Sequence, residues 1–221
     1  MKSSSTQATS RLSFIKRPVT LSNEDIRVLI NSDIKVLRTA ITHEDLGGAR
    51  FEYDENHDPV MGIINNKLGA VIKKPISTKT NDTERRLIPS PFGEVGCQLV
   101  VNEQWRIGAY SRMRALVAID YRATPEIKKT AWVQVDGDSD GSKFRTLLAE
   151  ITAELKAKGI ESNEDGTWSW EAGQAPLRWH SATSMPEWAS RLKLLVTSVR
   201  LEPSLDNVFN WEFVTEFELL S

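Results

Sequence analysis

The most specific chemistry in the chain is a run of alternating carboxylates. Asp136, Asp138 and Asp140 lie in DGDSDG, with Gly141 where a sharp turn is needed. Carboxylates at this spacing suit Ca²⁺, which takes six to eight oxygen ligands. The loop leaves the EF-hand pattern at its twelfth position, where Leu147 stands in place of a bidentate glutamate. A strand pattern, not a helix, precedes it. It therefore reads as an Asp-rich turn whose Asp140 or Ser142 caps the next helix, with calcium bound no more tightly than millimolar.

The three histidines lack visible partners. His43-Glu44 is not followed by the second histidine of HExxH. His57-Asp58 reads as solvent-facing, and His180, next to Trp179, as a ring stacked in a tryptophan-rich patch. Cys97 opens a strand pattern and reads as a small buried hydrophobe rather than a nucleophile. No GxSxG, GxxxxGK[ST] or GxGxxG occurs. No catalytic residue, metal or cofactor is assigned, and the chain is expected not to be an enzyme.

Two basic clusters are candidate contacts for anionic surfaces. The first is the opening segment, with Lys2, Arg11, Lys16 and Arg17 and no acidic residue before Glu24. The second holds Lys73-Lys74, Lys79 and Arg85-Arg86. Such clusters attract lipid headgroups or phosphate backbone. The residues assigned to contact with an anionic surface, lipid or phosphate backbone, are Lys2, Arg11, Lys16, Arg17, Lys73 and Lys74. All seven tryptophans lie between Trp105 and Trp211. That aromatic density, with a last strand expected at a sheet edge, marks Trp188, Trp211, Phe213 and Phe217 as self-association residues.

These side chains must be positioned by a small set of elements. Residues 1–18 read as a mobile basic arm and 19–221 as a single α+β domain. Helical spacing predicts a helix over Ser22–Ile41, opened by Ser22 or Asn23 and stopped by Gly47-Gly48. Residues 49–96 read as loops around a short apolar element at VMGIINNKLGAVIKKP. STKTNDTERR reads as an exposed polar loop and IPSPFGEVG as a turn region. QLVVNEQWRI, RALVAIDYR and TAWVQV read as strands, followed by an amphipathic helix over Ser142–Lys158 that ends at Gly159. TWSWEA, LKLLVTSVRLEP and FNWEFVTEFELL are further strands, and MPEWASRL is a helical turn. The fold class is α+β, a mostly antiparallel sheet with two principal flanking helices.

With 221 residues, a net charge of -2 and 26% charged residues, the chain suits a soluble globular protein and is no polycation. One cysteine excludes an intramolecular disulfide. No apolar run approaches the ~20 residues of a membrane span, and no secretory h-region follows the first residues.

The stretch from Val101 to Trp168, within residues 101–172, resembles the C-terminal part of rhabdovirus matrix proteins, the vesiculovirus type above all. The likeness rests on Asn102-Glu103, Trp105-Arg106, Ile107-Gly108 and Tyr110, then Leu116, Ile119, Tyr121 and Trp132. Ser142-Lys143-Phe144 opens the helix, Gly159-Ile160 ends it, and Gly166 and Trp168 begin the next strand. The resemblance implies a strand–strand–helix–strand unit in a non-enzymatic virion protein. Such a protein self-associates, links nucleocapsid to an anionic membrane surface, drives budding, and resides in the virion, host cytoplasm and membrane periphery. The competing readings are another viral assembly protein, capsid or movement protein, or an enzyme whose site assembles only in three dimensions.

Overall fold

The structure is a computed structural model that describes residues 16–33, 35–65, 67–76, 83–124, 132–135, 141–160, 167–171, 173–205 and 210–220. Its elements in chain order are β1 (Lys16–Thr20), α1 (Asn23–Asn31), β2 (Lys35–Ala40), α2 (His43–Leu46), β3 (Arg50–Phe51), β4 (Met61–Ile64), β5 (Lys67–Pro75), β6 (Thr83–Pro89) and β7 (Gln98–Asn102). β8 (Trp105–Ser111), β9 (Leu116–Tyr121), β10 (Val133–Gln134), α3 (Ser142–Ala157), β11 (Thr167–Ser169), β12 (Lys193–Pro203) and β13 (Trp211–Leu220) follow, with 3-10 turns at Ala182–Ser184 and Glu187–Ala189.

Three sheets result. The largest has the order β1-β7-β12-β13-β2, the second β10-β9-β8-β11, and in the third β5 is flanked by β6 on one side and by β3 and β4 on the other. Among the described residues all strand pairings are antiparallel except β1 with β7. The α+β reading holds at this level, with strands dominating.

Several expectations change. The arm ends sooner, because Lys16, Arg17 and Pro18 enter β1, where they pair with Gln98, Leu99 and Val100. Pro18 is tolerated there because β1 is an edge strand. The helix expected over Ser22–Ile41 stops at Asn31. Ser22 accepts from the Asp25 amide at its start, and Ser32 turns extended at its end. The remainder becomes β2, in register with β13 from Lys35↔Phe217 to Ala40↔Glu212, so sheet pairing overrides the helical spacing of Leu37 and Ile41. TERR of the expected polar loop belongs to β6, paired with β5. Finally, β13 lies between β12 and β2 and is no sheet edge.

The strand expected at QLVVNEQWRI divides at Glu103-Gln104, with β7 in the largest sheet and β8 in the second. That switch ties two cores together. One core lies between the second sheet and α3, with Trp105, Tyr110, Val117, Phe144, Ile151 and Trp168. The other lies beneath α1, with Ile26, Leu29, Leu99, Val101, Val196 and Phe217. A smaller cluster of Ile41, Ala70 and Phe213 joins the largest sheet to β5. α3 ends as its sequence predicts, with Gly159 at φ 70° and the Ile160 amide donating to the Leu155 carbonyl.

Candidate interaction surfaces and buried ion pairs

The β7–β8 corner is built around a buried carboxylate. Glu103 has no exposed side-chain surface and accepts both Arg191 bonds, Nε to Oε1 at 2.8 Å and Nη2 to Oε2 at 2.9 Å. The same guanidinium lies 4.1 Å from the centre of the Tyr121 ring, and the Tyr121 hydroxyl donates to the Ala189 carbonyl at 2.7 Å. Burial pushes the Glu103 carboxyl above its ordinary value, and the Arg191 hydrogen bonds pull it back. The group clamps the sheet switch to the segment that carries the Glu187–Ala189 turn.

A second buried pair sits on the cross-strand neighbours Arg106 and Asp120, Nε to Oδ2 at 3.1 Å, with the Arg106 guanidinium 4.3 Å from the Trp179 ring centre. Gly108 makes room for it: a Cβ there would meet Asp120 Oδ1 at 2.3 Å. Trp105 and Arg106, adjacent in sequence, thus point to opposite faces. Trp105 enters the α3 core and stacks on His180, ring centres 4.7 Å apart. Burial, then Arg178, lowers the His180 pKa below its ordinary value.

On β12, β13 and β2 the charges interlock. Glu202 sits directly opposite Glu212, and Arg38 bridges the two, bonding Glu202 and reaching Glu212 Oε2 at 3.3 Å. Arg200 bonds Glu202 Oε1 at 2.6 Å and Glu216 Oε1 at 2.5 Å. Ser204 donates to Glu212 Oε1 at 2.7 Å.

The third sheet carries the second basic cluster, and the structure divides it. Lys73 and Lys74 project to opposite faces of β5, because successive strand residues alternate. Lys74 faces Glu84, which also pairs with Arg86 at 2.8 Å. Lys73 joins a row: Arg50 on β3, Lys73 on β5 and Arg85 on β6 are in cross-strand register. Glu52 serves that row, 2.7 Å from Arg85 Nε and 3.8 Å from Lys73 Nζ.

Lys2 and Arg11 lie outside the described residues, as do Asp136, Asp138 and Asp140, so the calcium question stays with the sequence. Lys16 and Arg17 are engaged by the fold: Lys16 pairs with Glu187, and Arg17 donates to the Pro91 carbonyl at 3.3 Å. Phe213 and Phe217 are 2% and 6% exposed, which corrects their assignment to a self-association surface. Both sit in an interior strand, and Phe217 meets Phe92 edge-on with ring centres 5.4 Å apart. Trp188 and Trp211 stay half-buried; Trp188 meets Trp105 edge-on, and Trp211 lines a cavity with Ile41, Leu46 and Phe51.

Cys97 is buried, and burial raises its thiol pKa, as suits an unreactive residue. His57 lies exposed in a turn where Asp54 Oδ1 accepts from the Asn56 and Asp58 amides. Among the described residues, no three His, Cys, Asp or Glu side chains gather as a metal site, and no helix is long and apolar enough to cross a membrane. Sequence reasoning missed Arg50, Glu52 and Arg191 altogether. Their partners lie tens of residues away, and no local spacing marks them. Comparison with known protein families, with curated proteins and with solved structures finds no match to this chain.

Proposed function

We propose that this protein is a non-enzymatic, self-associating assembly protein of viral matrix type, linking nucleocapsid to an anionic membrane. The observation that carries the reading is the convergence of the residues behind the resemblance. Trp105, Tyr110, Tyr121, Phe144 and Trp168 enter one core, formed by β8, β9, α3 and β11, with the short β10 added between β9 and α3 to the strand–strand–helix–strand order that the resemblance implies.

In this reading the membrane contact belongs to residues 1–15, since Lys16 and Arg17 are occupied in and beside β1. The half-buried Trp188 and Trp211 remain as the aromatic part of the self-association surface.

Flotation with phosphatidylserine-containing liposomes tests the membrane half. Full-length protein should float, and a chain lacking residues 1–15 should stay at the bottom while melting at the same temperature. Truncation must stop there, because removing 16–18 would take away most of β1. Equal flotation of both chains would remove the arm from the mechanism. Failure of both to float would remove the membrane.

A further inference from the structure

We propose that the face of the third sheet bearing Arg50, Lys73 and Arg85 binds the phosphodiester backbone of single-stranded nucleic acid. This deepens the assembly reading, which gave Lys73 and Lys74 to a membrane or nucleocapsid contact, by separating Lys73 from Lys74, adding Arg50 and Arg85 and naming the partner; it is tested apart from self-association and flotation.

The argument starts from a cost. Like charges directly opposite one another on neighbouring strands destabilise a sheet. Here two such pairs are consecutive, Arg50↔Lys73 and Lys73↔Arg85. At about 4.8 Å between strands the row spans roughly 10 Å. Among the described residues one carboxylate, Glu52, is paired with the row, touching Lys73 and Arg85, so three cations share a single anion. The Lys73 and Arg85 side chains are 47% and 60% exposed, so their heads can reach a partner without unpacking the sheet. Elsewhere in the same molecule a like-charge facing pair, Glu202 and Glu212, is bridged by Arg38. Glu52 bridges Lys73 and Arg85 in the same way, but among the described residues no ion pair reaches Arg50, so the row keeps an excess of positive charge.

The shape and chemistry of the row select the partner. It lies on a sheet rather than in an enclosing pocket, so a small anion would gain little against salt screening. A polymer gains at every phosphate by releasing its own counterions. Two of the three cations are arginines, whose planar fork matches a phosphate bidentately. A bilayer is the poorer fit. Exposed Ile63 sits across from Leu68, on the opposite face of β5 from Lys73, so it does not accompany the row into lipid, and Ile64 on the row's own face is half-buried.

The test is fluorescence anisotropy of the full chain with a labelled single-stranded 20-mer of uridine, across a salt series. Each single-strand phosphate contact adds about 0.7 to the slope of log affinity against log salt. Three contacts from this face contribute roughly 2, or about a 20-fold loss between 50 and 200 mM salt. Arg50→Gln, Lys73→Gln and Arg85→Gln should each lower the slope by about 0.7. Lys74→Gln, on the other face, should leave it unchanged. Glu52→Gln should tighten binding. Equal slopes for wild type and the triple Gln variant would overturn the proposal, provided both melt alike. A triple variant that keeps RNA binding but loses flotation with phosphatidylserine liposomes would overturn it in favour of a bilayer.

Discussion

The largest sheet and the third sheet solve the same electrostatic problem in opposite ways. On β12 and β13, Glu202 faces Glu212, and the repulsion is removed by Arg38 from β2 and relieved further along by Arg200. On β3, β5 and β6, Arg50, Lys73 and Arg85 face one another with Glu52 as their shared counter-charge. The first arrangement spends its charges on the fold. The second leaves positive charge for a partner. The buried Glu103–Arg191 corner is the extreme of the first kind, with both ions committed and one fully enclosed. Charge content therefore says little about function; whether the counter-charge lies within the fold says more.

The comparison breaks most readily at the buried corner. Arg191→Met strands Glu103 in a dry site and should cost about 3–5 kcal/mol at pH 7, read by urea unfolding. The pH dependence has a definite sign. Burial already raises the folded-state Glu103 pKa above its unfolded value, and losing Arg191 raises it further. The folded state then takes up the proton more readily, so the deficit of the variant shrinks as pH falls and grows as pH rises through the folded pKa. Replacing both residues, Glu103→Leu with Arg191→Met, should recover much of the loss. A double variant as unstable as the single one would show that packing, not stranded charge, is at stake.

A smaller effect is expected at the bridged pair. Arg38→Gln should cost about 1 kcal/mol, since Arg38 and Glu202 are each nearly one-third exposed. Arg200, with Arg38 after it, holds the Glu202 carboxyl below its ordinary value. The contribution of Glu202 is therefore present above the unfolded pKa and lost as pH falls through the folded one. Wild type and variant should converge in acid. Constant separation down to pH 3 would deny the electrostatic account.

The smallest effect sharpens the contrast. Arg85→Gln should change stability by no more than about 0.5 kcal/mol, and toward greater stability if repulsion within the row outweighs its bond to Glu52. A loss above about 1.5 kcal/mol by the same unfolding assay would place Arg85 with the structural charges.

Several elements were legible because their signals are local. The Phe144, Ile151 and Leu155 face and the Gly159 stop define α3, and the aromatic alternation of β13 marks a strand. The Ser22 cap was equally plain. What failed was non-local. Leu37 and Ile41 fit a helical period as well as a strand, and only pairing with β13 decides. Phe213 and Phe217 were legible as a strand, but nothing in the segment says that β2 covers its outer edge. Lys73-Lys74 reads as one basic pair, yet alternation sends the two to different faces, and the partners of Lys73 stand at 50 and 85. Arg106 was visible beside Trp105 without any hint that Asp120 would neutralise it.

Self-association is the central claim of the matrix reading, and sedimentation velocity on the full-length wild type measures it directly. From low to high micromolar concentration in low salt, the account predicts a rising weight-average sedimentation coefficient as dimers and larger species form. Charged replacements of the half-buried aromatics, Trp188→Glu and Trp211→Glu, should flatten that rise while the circular dichroism spectrum stays native. A wild-type chain that sediments as a monomer throughout the range would contradict it.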